Sequence, residues 1–577
     1  MHMRAAVVAV LAAAACASPG EPPARPSKVP PQENVDVQQP ASGVLDRDPP
    51  AGAGAMAPNL TPAGADEALL SWVEPDGKGM RVRFSRLAGM KWSEASTIAS
   101  GERVLGGWAD APVVVTGAGG EMVAAWTEGA GGKGEVSDVV LGRKSGSGWK
   151  RLGAAHDDRT ATEHAFASLL PDRGGILAVW LDGRATAKGE PMTLRSARIG
   201  PRGVEQPALV DARVCDCCPT AAAMTDRGPV VAYRDRDGKD VRDISVVRLV
   251  DGKWSVPVPV HADGWHVGGC PVSGPAIAAS GRLVAVAWYS EAQERPAVRV
   301  AFSRDAGAHF GDPIEVDARA GGRTPLGRVS IALDDAGDAL VTWVAARDRA
   351  AEILVRRIAV DGAVGPERTV AATGAARSSG VPRALRVDEW LLVAWTDVEA
   401  HRIRATALAL REIGAPAAVD STPPQVPPAD QMAAGRAAPT RWVGKNLEGR
   451  AVRIGDLRGK VVVLNLWATY CAPCFAEFPE LAALKKTWQK RGVEFVSLSI
   501  DEDAARPRVI AVWKKYGLPY TLWLDPQETA PFAFATQSIP VTFVIDRLGV
   551  VRLRHDDKIR AGDHELNAAI EAALAAR

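Results

Sequence analysis

VVVLNLWATYCAPCFAEFPEL, residues 461–481, joins an unbroken apolar run to two closely spaced cysteines and the start of a helix. On its C-terminal side, apolar segments of strand length alternate with helical segments. Strands are expected over residues 461–466, 493–500, 520–524, 541–545 and 550–554. Three helices are expected: the first follows the cysteines and ends near residue 490, and the others cover 504–516 and 563–575. This alternation predicts an α/β domain over residues 441–577.

The two cysteines of this stretch, Cys471 and Cys474, stand at the predicted N-terminus of the helix. Free N–H groups and the helix dipole at that end stabilise a thiolate, which favours Cys471 as a nucleophile. Cys474 follows one turn later, where it can resolve a mixed disulfide. The pattern indicates a redox pair that requires no cofactor. A zinc site is disfavoured because this domain has no second cysteine pair.

This part of the chain resembles the TlpA/ResA-like thiol-disulfide oxidoreductases of the thioredoxin fold. The resemblance rests on GKVVVLNLWATYCAPC, the following PEL and the later IPVTFVIDRLG. It implies a proton-transfer role for Glu477, for which an ordinary solvated helix residue is the alternative. Ile539-Pro540 suits a cis peptide that would place a backbone edge beside Cys471, where a substrate strand can pair. Trp467 and Pro540 are therefore counted with the site.

The proline of Cys-Ala-Pro-Cys is that of the reducing members of the family. The resemblance thus implies a reductant of disulfides in client proteins, such as apocytochrome c or the cysteines of copper sites. It also implies a membrane electron donor of thiol-disulfide type.

The middle of the chain repeats one unit seven times. A short apolar strand ending in an aromatic residue recurs at intervals of 52 to 55 residues, at Trp72, Trp126, Trp180, Tyr233, Trp288, Trp343 and Trp395. Each unit contains four strand-like segments, which predicts a seven-bladed β-propeller over residues 58–420. The aromatic residues are expected to pack between blades.

This region resembles sialidase-like propellers with Asp-box turns. Ser303 and Asp305 match that motif and are expected to satisfy the backbone of a turn. Catalytic sialidases usually have six blades, so a six-bladed ring is the alternative. A glycosidase reading would use Arg234, Arg236 and Arg242 to bind a carboxylate, with Tyr289 and Glu291 as a nucleophile pair, but the Arg-Ile-Pro segment of those enzymes is missing.

One face of the predicted propeller collects cysteines. Because strands alternate in direction, the segments that enter blades 4 and 5 share a face, and they carry Cys215, Cys217, Cys218, Cys270, Trp265 and His266. Three roles are open: structural disulfides, a copper or zinc site with His266, or a redox-active cluster. The neighbours Cys217 and Cys218 are expected to have different partners.

The N-terminus resembles a bacterial lipoprotein signal. Residues 1–15 form a short basic and apolar signal peptide, Cys16 is the expected lipidation site, and residues 16–57 form a Pro/Ala-rich tether. A second Pro-rich linker covers 421–440. This predicts a location in the bacterial cell envelope, on the periplasmic side and lipid-anchored to a membrane, with simple secretion as the alternative. The net charge of +1 gives no basic footprint for nucleic acid.

Two functional hypotheses follow. In the first, the protein is an extracytoplasmic oxidoreductase whose propeller recognises the client. In the second, the propeller binds a metal, a glycan or a protein, and the thioredoxin-like domain keeps its cysteine cluster reduced.

Overall fold

The computed structural model describes most of the two predicted domains. It covers residues 43–129, 136–172, 175–267, 269–317, 323–347, 350–416, 434–439, 442–501, 503–526, 529–534, 536 and 538–576. The predicted signal peptide, Cys16 and most of the tether and of the Pro-rich linker lie outside the described residues. The expectations for them stay predictions.

Seven antiparallel sheets form a seven-bladed propeller, as the repeat predicts. Blade 1 comprises Met56–Pro62, Glu67–Asp76, Gly79–Ala88 and Lys91–Trp92 with Ser96–Gly101. Blade 2 comprises Val113–Thr116, Met122–Gly129, Ser137–Ser145 and Gly148–Ala154. Blade 3 comprises His164–Asp172, Gly175–Asp182, Thr193–Gly200 and Gly203–Asp211. Blade 4 comprises Ala221–Thr225, Gly228–Arg234, Ile244–Val250 and Lys253–Trp254 with Val258–Pro259. Blade 5 comprises Ala276–Ser280, Leu283–Ser290, Ala297–Ser303 and Ile314–Asp317. Blade 6 comprises Thr324–Pro325 with Ser330–Leu333, Ala339–Arg347, Ala350–Ile358 and Arg368–Gly374. The first strands of neighbouring blades contact one another around a closed ring.

The seventh blade is assembled from both ends of the propeller. Arg383–Val387, Trp390–Asp397 and Arg402–Ala409 supply three strands, and the fourth is Val44–Asp46, which pairs antiparallel with Arg402–Ala409. The tether predicted over residues 16–57 therefore extends too far, because Val44–Asp46 is a strand of blade 7 and Met56 begins the first strand of blade 1. Pairing between ends more than 350 residues apart leaves no local signal, and it closes the ring.

Each blade buries its repeated aromatic residue on its second strand, with at most 7% of the side chain exposed. Most of these residues also donate a hydrogen bond to a buried or half-buried carboxylate, which the pattern did not reveal. The pairs are Trp72–Glu74, Trp126–Glu128, Trp180–Asp182, Tyr233–Asp211, Trp288–Asp263 and Trp343–Asp317. In blades 4 to 6 the carboxylate comes from the end of the preceding blade, so the bond joins neighbouring blades.

Replacing Trp288 with Phe is expected to destabilise the propeller by about 1–3 kcal/mol, because Asp263 loses a buried donor. Trp288 Nε1 lies 2.6 Å from Asp263 Oδ2. Trp149→Phe is the matched control, since Trp149 Nε1 has no hydrogen-bond partner among the described residues. Thermal unfolding of the full chain measures both. Equal losses in the two variants would show that the carboxylate bond adds nothing.

The predicted Asp-box turn is observed. Ser303 Oγ lies 2.7 Å from Asp305 Oδ1. The same carboxylate oxygen accepts the N–H groups of Ala308 and His309 at 3.0 and 2.9 Å. The motif therefore provides hydrogen-bond acceptors for the backbone N–H groups of the turn between the third and fourth strands of blade 5.

The C-terminal domain is a seven-stranded sheet with helices, as the alternating pattern predicts. Its strands, in spatial order, are Ala451–Arg453, Val443–Asn446, Thr521–Leu524, Val493–Ser499, Val461–Trp467, Val541–Ile545 and Val551–His555. Its helices are α1 (Ala472–Trp488), α2 (Arg506–Tyr516), α3 (Ala530–Ala533) and α4 (His564–Ala575). The two strands that precede residue 454 and the short α3 were not predicted. No described helix has the length and apolar character required to cross a membrane.

Candidate active site

The cysteine pair lies where the central strand Val461–Trp467 passes into α1. Cys471 is the N-cap residue of α1, and its Sγ accepts the backbone N–H of Cys474 at 3.3 Å. The two cysteines form a disulfide with Cα atoms 5.4 Å apart, and both are fully buried. Pro473 occupies the first turn, where a missing N–H costs no hydrogen bond. This placement gives Cys471 the helix N-terminus that the sequence predicts.

The loop before strand Val541–Ile545 lies beside this junction. The strand pairs antiparallel with Val461–Trp467, with Val541 opposite Leu466. The preceding Ile539-Pro540 peptide bond is cis, as predicted. Ile539 is fully buried. The structure therefore brings the Pro540 loop next to the segment that leads into Cys471.

Glu477 lies one helical turn after Cys474 and is fully buried. Its carboxylate accepts the Nδ2–H of Asn465 at 2.7 Å and the N–H of Ile559 at 3.0 Å. Burial raises the pKa of Glu477 to about 8, although these two hydrogen bonds oppose the increase. The alternative of an ordinary solvated helix residue is wrong, because α1 packs this face against the sheet. Asn465 was not singled out from the sequence.

Glu477 is expected to make stability fall as pH rises. The folded chain holds this proton up to about pH 8, whereas the ordinary pKa is 4.5. Between these values the folded state binds more protons, so its unfolding free energy decreases with pH, by up to about 5 kcal/mol in total. Glu477→Gln should remove this decrease in calorimetric scans between pH 4 and 9. Glu480→Gln is the matched control, and the same slope in wild type and Glu477→Gln would contradict the assignment.

Trp467 ends the central strand under the first turns of α1. It is fully buried, and its ring packs edge-on against Phe478 with centroids 5.2 Å apart. The structure thus places Trp467 as a packing residue beneath the cysteine pair.

A loop of the propeller contacts this site directly. The backbone N–H of Cys270 donates to the Ile539 carbonyl at 2.6 Å. Arg377, at the start of blade 7, points one guanidinium nitrogen to Tyr470 Oη at 3.4 Å and another to the Cys270 carbonyl at 3.5 Å. Both domains line a cavity of about 820 Å³. The sequence contained no signal for these contacts.

The four propeller cysteines converge, as predicted. Cys217 and Cys270 form a disulfide with Cα atoms 6.0 Å apart. Cys215 and Cys218 are buried thiols whose Sγ atoms lie 3.4 Å apart. Cys217 and Cys218 therefore have different partners.

The two thiols differ in charge environment. Burial would raise the pKa of Cys215, but its hydrogen bond with Cys218 and the nearby Arg242 lower it to about 6. Arg242 Nη1 lies 3.5 Å from Cys215 Sγ and donates to the Gly269 carbonyl at 2.8 Å. Burial and the neighbouring Cys215 raise the pKa of Cys218. The arrangement favours one thiolate and one thiol.

The cysteines partly fit a soft metal ion. The Sγ atoms of Cys215, Cys217 and Cys218 all lie within 4.8 Å of one another, and thiolates are the ligands that copper(I) and zinc prefer. Cys217 can donate only after its disulfide is reduced. His266 is exposed, and this group does not include it.

The arginines proposed for a glycosidase are engaged within the protein. Arg234 directs its three donor nitrogens to the carbonyls of Ser273, Arg242 and Tyr289 at 2.7 to 2.9 Å, and its guanidinium stacks 4.6 Å from the Trp265 ring centroid. Arg236 Nε binds Asp240 at 2.6 Å. The expected use of Arg234 to bind a carboxylate ligand is wrong, because the side chain is buried and its donors are bound to backbone carbonyls.

A Cys-x-x-Cys pair at a helix N-terminus, beside a cis-proline loop in a mixed sheet, defines a thioredoxin-like thiol-disulfide oxidoreductase. Residues 434–554 match the AhpC/TSA family model. Thiol-disulfide oxidoreductase ResA of Geobacillus thermodenitrificans is 36% identical over 121 residues, which cover 21% of this chain and 68% of that protein. The Bacillus subtilis ResA is 33% identical over 122 residues, 21% of this chain and 66% of that protein.

Among solved structures, a thiol:disulfide interchange protein of the thioredoxin family from Chlorobium tepidum is 30% identical. The match covers 25% of this chain and 99% of that one, with a TM-score of 0.22. Through its C-terminal domain, the chain belongs to the ResA-like family of thiol-disulfide oxidoreductases.

Proposed function

We propose that the protein is an extracytoplasmic, lipid-anchored reductant of disulfides in client proteins, with the propeller as its recognition module. The observation that carries this proposal is the position of Cys471. It caps α1 next to Cys474, and the buried Glu477 follows one turn later. A nucleophile, a resolving thiol and a proton acceptor thus stand along one helix.

The reaction is a two-step exchange. The Cys471 thiolate attacks a client disulfide, forms a mixed disulfide and releases the first client thiolate. Cys474 then loses its proton, which Glu477 accepts in those chains in which its carboxylate is ionised, and attacks Cys471. This attack releases the second client thiolate and forms the Cys471–Cys474 disulfide. Two electrons and two protons pass to the client. A membrane donor of thiol-disulfide type is proposed to return the pair to the dithiol.

The N-terminal sequence supports the proposed location. Cys16 is proposed as the lipid anchor. A membrane fraction that retains the wild type and releases Cys16→Ser would support the anchor. Equal release of both would contradict it.

The redox poise of the pair tests the direction of the reaction. A reductant should equilibrate near the potential of thioredoxin, about −270 mV, whereas an oxidant would lie near about −120 mV. The measurement is the fraction of Cys471 alkylated in the full chain after equilibration with dithiothreitol or glutathione buffers, with peptide mapping to separate the two cysteine pairs. A pair that glutathione fully reduces would contradict the proposal.

A second candidate function is soft-metal binding by the reduced propeller cysteines. The close approach of the Cys215, Cys217 and Cys218 sulfurs favours it. Titration of the reduced full chain with copper(I) or zinc should show one tight site in the wild type and a weaker one in Cys218→Ser. Equal affinities would contradict it.

A further inference from the structure

The propeller loop that contains Gly269 and Cys270 lies against the active-site loop that contains Ile539 and Pro540, in the way that a bound peptide would lie. The Cys270 N–H donates to the Ile539 carbonyl at 2.6 Å. A Cβ atom at Gly269 would lie 2.4 Å from that carbonyl oxygen and 2.7 Å from its carbon. Only glycine allows this close approach of two main chains. Backbone pairing of this kind is how an extended peptide binds an exposed edge.

Buried arginines position this loop from both sides. Arg242 Nη1 donates to the Gly269 carbonyl at 2.8 Å. Arg377 lies 3.5 Å from the Cys270 carbonyl and 3.4 Å from Tyr470 Oη, next to the Cys471 motif. The contact is therefore supported by charged groups that are at most 6% exposed.

The disulfide of the propeller loop lies at the cavity beside the active-site motif. Cys270 and its partner Cys217 line the cavity together with Tyr470 and Pro473, which flank or separate the cysteines of the active-site motif. Cys471 and Cys474 are themselves fully buried. Of the two disulfides in the described residues, the propeller pair is therefore the one that faces the cavity.

We propose that Cys217–Cys270 is the internal redox partner of Cys471–Cys474, and that the two pairs exchange through a Cys270–Cys471 mixed disulfide. The proposal rests on the proposed function, because it requires Cys471 to be the attacking thiolate. The thioredoxin-like domain then passes its electrons to the propeller, and the propeller pair presents them in the cavity.

The exchange balances without another reactant. With Cys471 and Cys474 reduced, the Cys471 thiolate attacks Cys270 Sγ, the Cys217–Cys270 bond breaks and Cys217 leaves as a thiolate. Cys474 gives up its proton and attacks Cys471 Sγ, which releases the Cys270 thiolate. One disulfide forms at Cys471–Cys474, and two electrons and two protons move to Cys217 and Cys270. A dithiol, dithiothreitol in the experiment, supplies the first reduction.

The test traps the intermediate in the full chain. Cys474→Ser removes the resolving thiol, and Cys217→Ser/Cys474→Ser also prevents the reverse attack. After mild oxidation, peptide mapping without reductant should find Cys270 linked to Cys471 within single chains. The link should be lost in Cys270→Ser/Cys474→Ser and retained in Cys218→Ser/Cys474→Ser. With limiting dithiothreitol, Cys217–Cys270 should be reduced about tenfold or more faster in the wild type than in Cys471→Ser, because the internal exchange is intramolecular.

The outcomes separate the two proposals. If no Cys270–Cys471 link forms in either trapping variant while Cys474→Ser still forms a mixed disulfide with glutathione disulfide, the internal exchange is wrong and the proposed function stands. If Cys474→Ser forms neither species, the attacking role of Cys471 is wrong and both proposals fail. Equal reduction rates of Cys217–Cys270 with and without Cys471 would also overturn the exchange.

Discussion

Cys471→Ser is expected to abolish the reduction of a peptide disulfide by the full chain, with a loss of about three orders of magnitude or more. The reason is local. A thiolate at the N-cap of α1 is stabilised by the helix N-terminus, whereas a serine hydroxyl stays protonated at the same position and is a poor nucleophile. The measurement is turnover of the peptide with dithiothreitol as the donor, corrected for the reaction of dithiothreitol alone.

Cys474→Ser should behave differently from Cys471→Ser. It retains the attacking thiol, so after reduction and removal of dithiothreitol it should release one equivalent of peptide thiol per chain and then stop as a mixed disulfide. Thr487→Ser, an exposed substitution near the end of the same helix, is the control and should turn over at the wild-type rate. A single-turnover burst in Cys471→Ser and none in Cys474→Ser would reverse the assigned roles.

The parts of the fold that sequence reasoning found are those with local signals. The apolar run before Cys471, the helix after it and the aromatic residue in each blade are encoded by neighbouring residues. The predicted edges of α1 and of strand Val541–Ile545 therefore agree with the observed ones to within about two residues, which is the usual uncertainty of helix and strand ends.

The features that were missed depend on residues far apart in the chain. Val44–Asp46 completes the seventh blade only because Arg402–Ala409 offers it an open edge. The carboxylate partners of Trp288 and Trp343 stand 25 and 26 residues earlier, in the preceding blade. No pattern in neighbouring residues predicts this strand pairing or these hydrogen bonds.

The candidate site shows the same division. Cys471, Cys474, Glu477 and Pro540 could be grouped from their motifs. The burial that raises the pKa of Glu477 comes from tertiary packing, and its hydrogen-bond partners Asn465 and Ile559, which oppose that increase, lie elsewhere in the chain. The convergence of the four propeller cysteines was predictable from strand direction. Their contact with Ile539 was not, since it depends on how one domain packs on the other.

Gly269→Ala is expected to separate the propeller loop from the active site. The new Cβ would lie 2.4 Å from the Ile539 carbonyl oxygen, a main-chain atom that cannot swing aside, so the Cys270–Ile539 hydrogen bond should be lost. That loss alone is worth about 1 kcal/mol, and the clash adds to it, so the docked arrangement should be disfavoured by about tenfold or more. Added dithiothreitol should then reduce Cys471–Cys474 correspondingly faster, as measured by timed alkylation and peptide mapping.

Gly238→Ala is the matched control for this substitution. Gly238 lies in a loop of blade 4, where an added Cβ meets no atom within 4 Å, so its variant should react like the wild type. In Gly269→Ala the direct reduction of Cys471–Cys474 should speed up while its exchange with Cys217–Cys270 slows down, because both changes follow from one lost contact. If both rates instead match those of Gly238→Ala, the propeller loop does not control access to the cysteine pair. A faster direct reduction together with a slower exchange would show that the contact between Gly269 and Ile539 controls access to the cysteine pair.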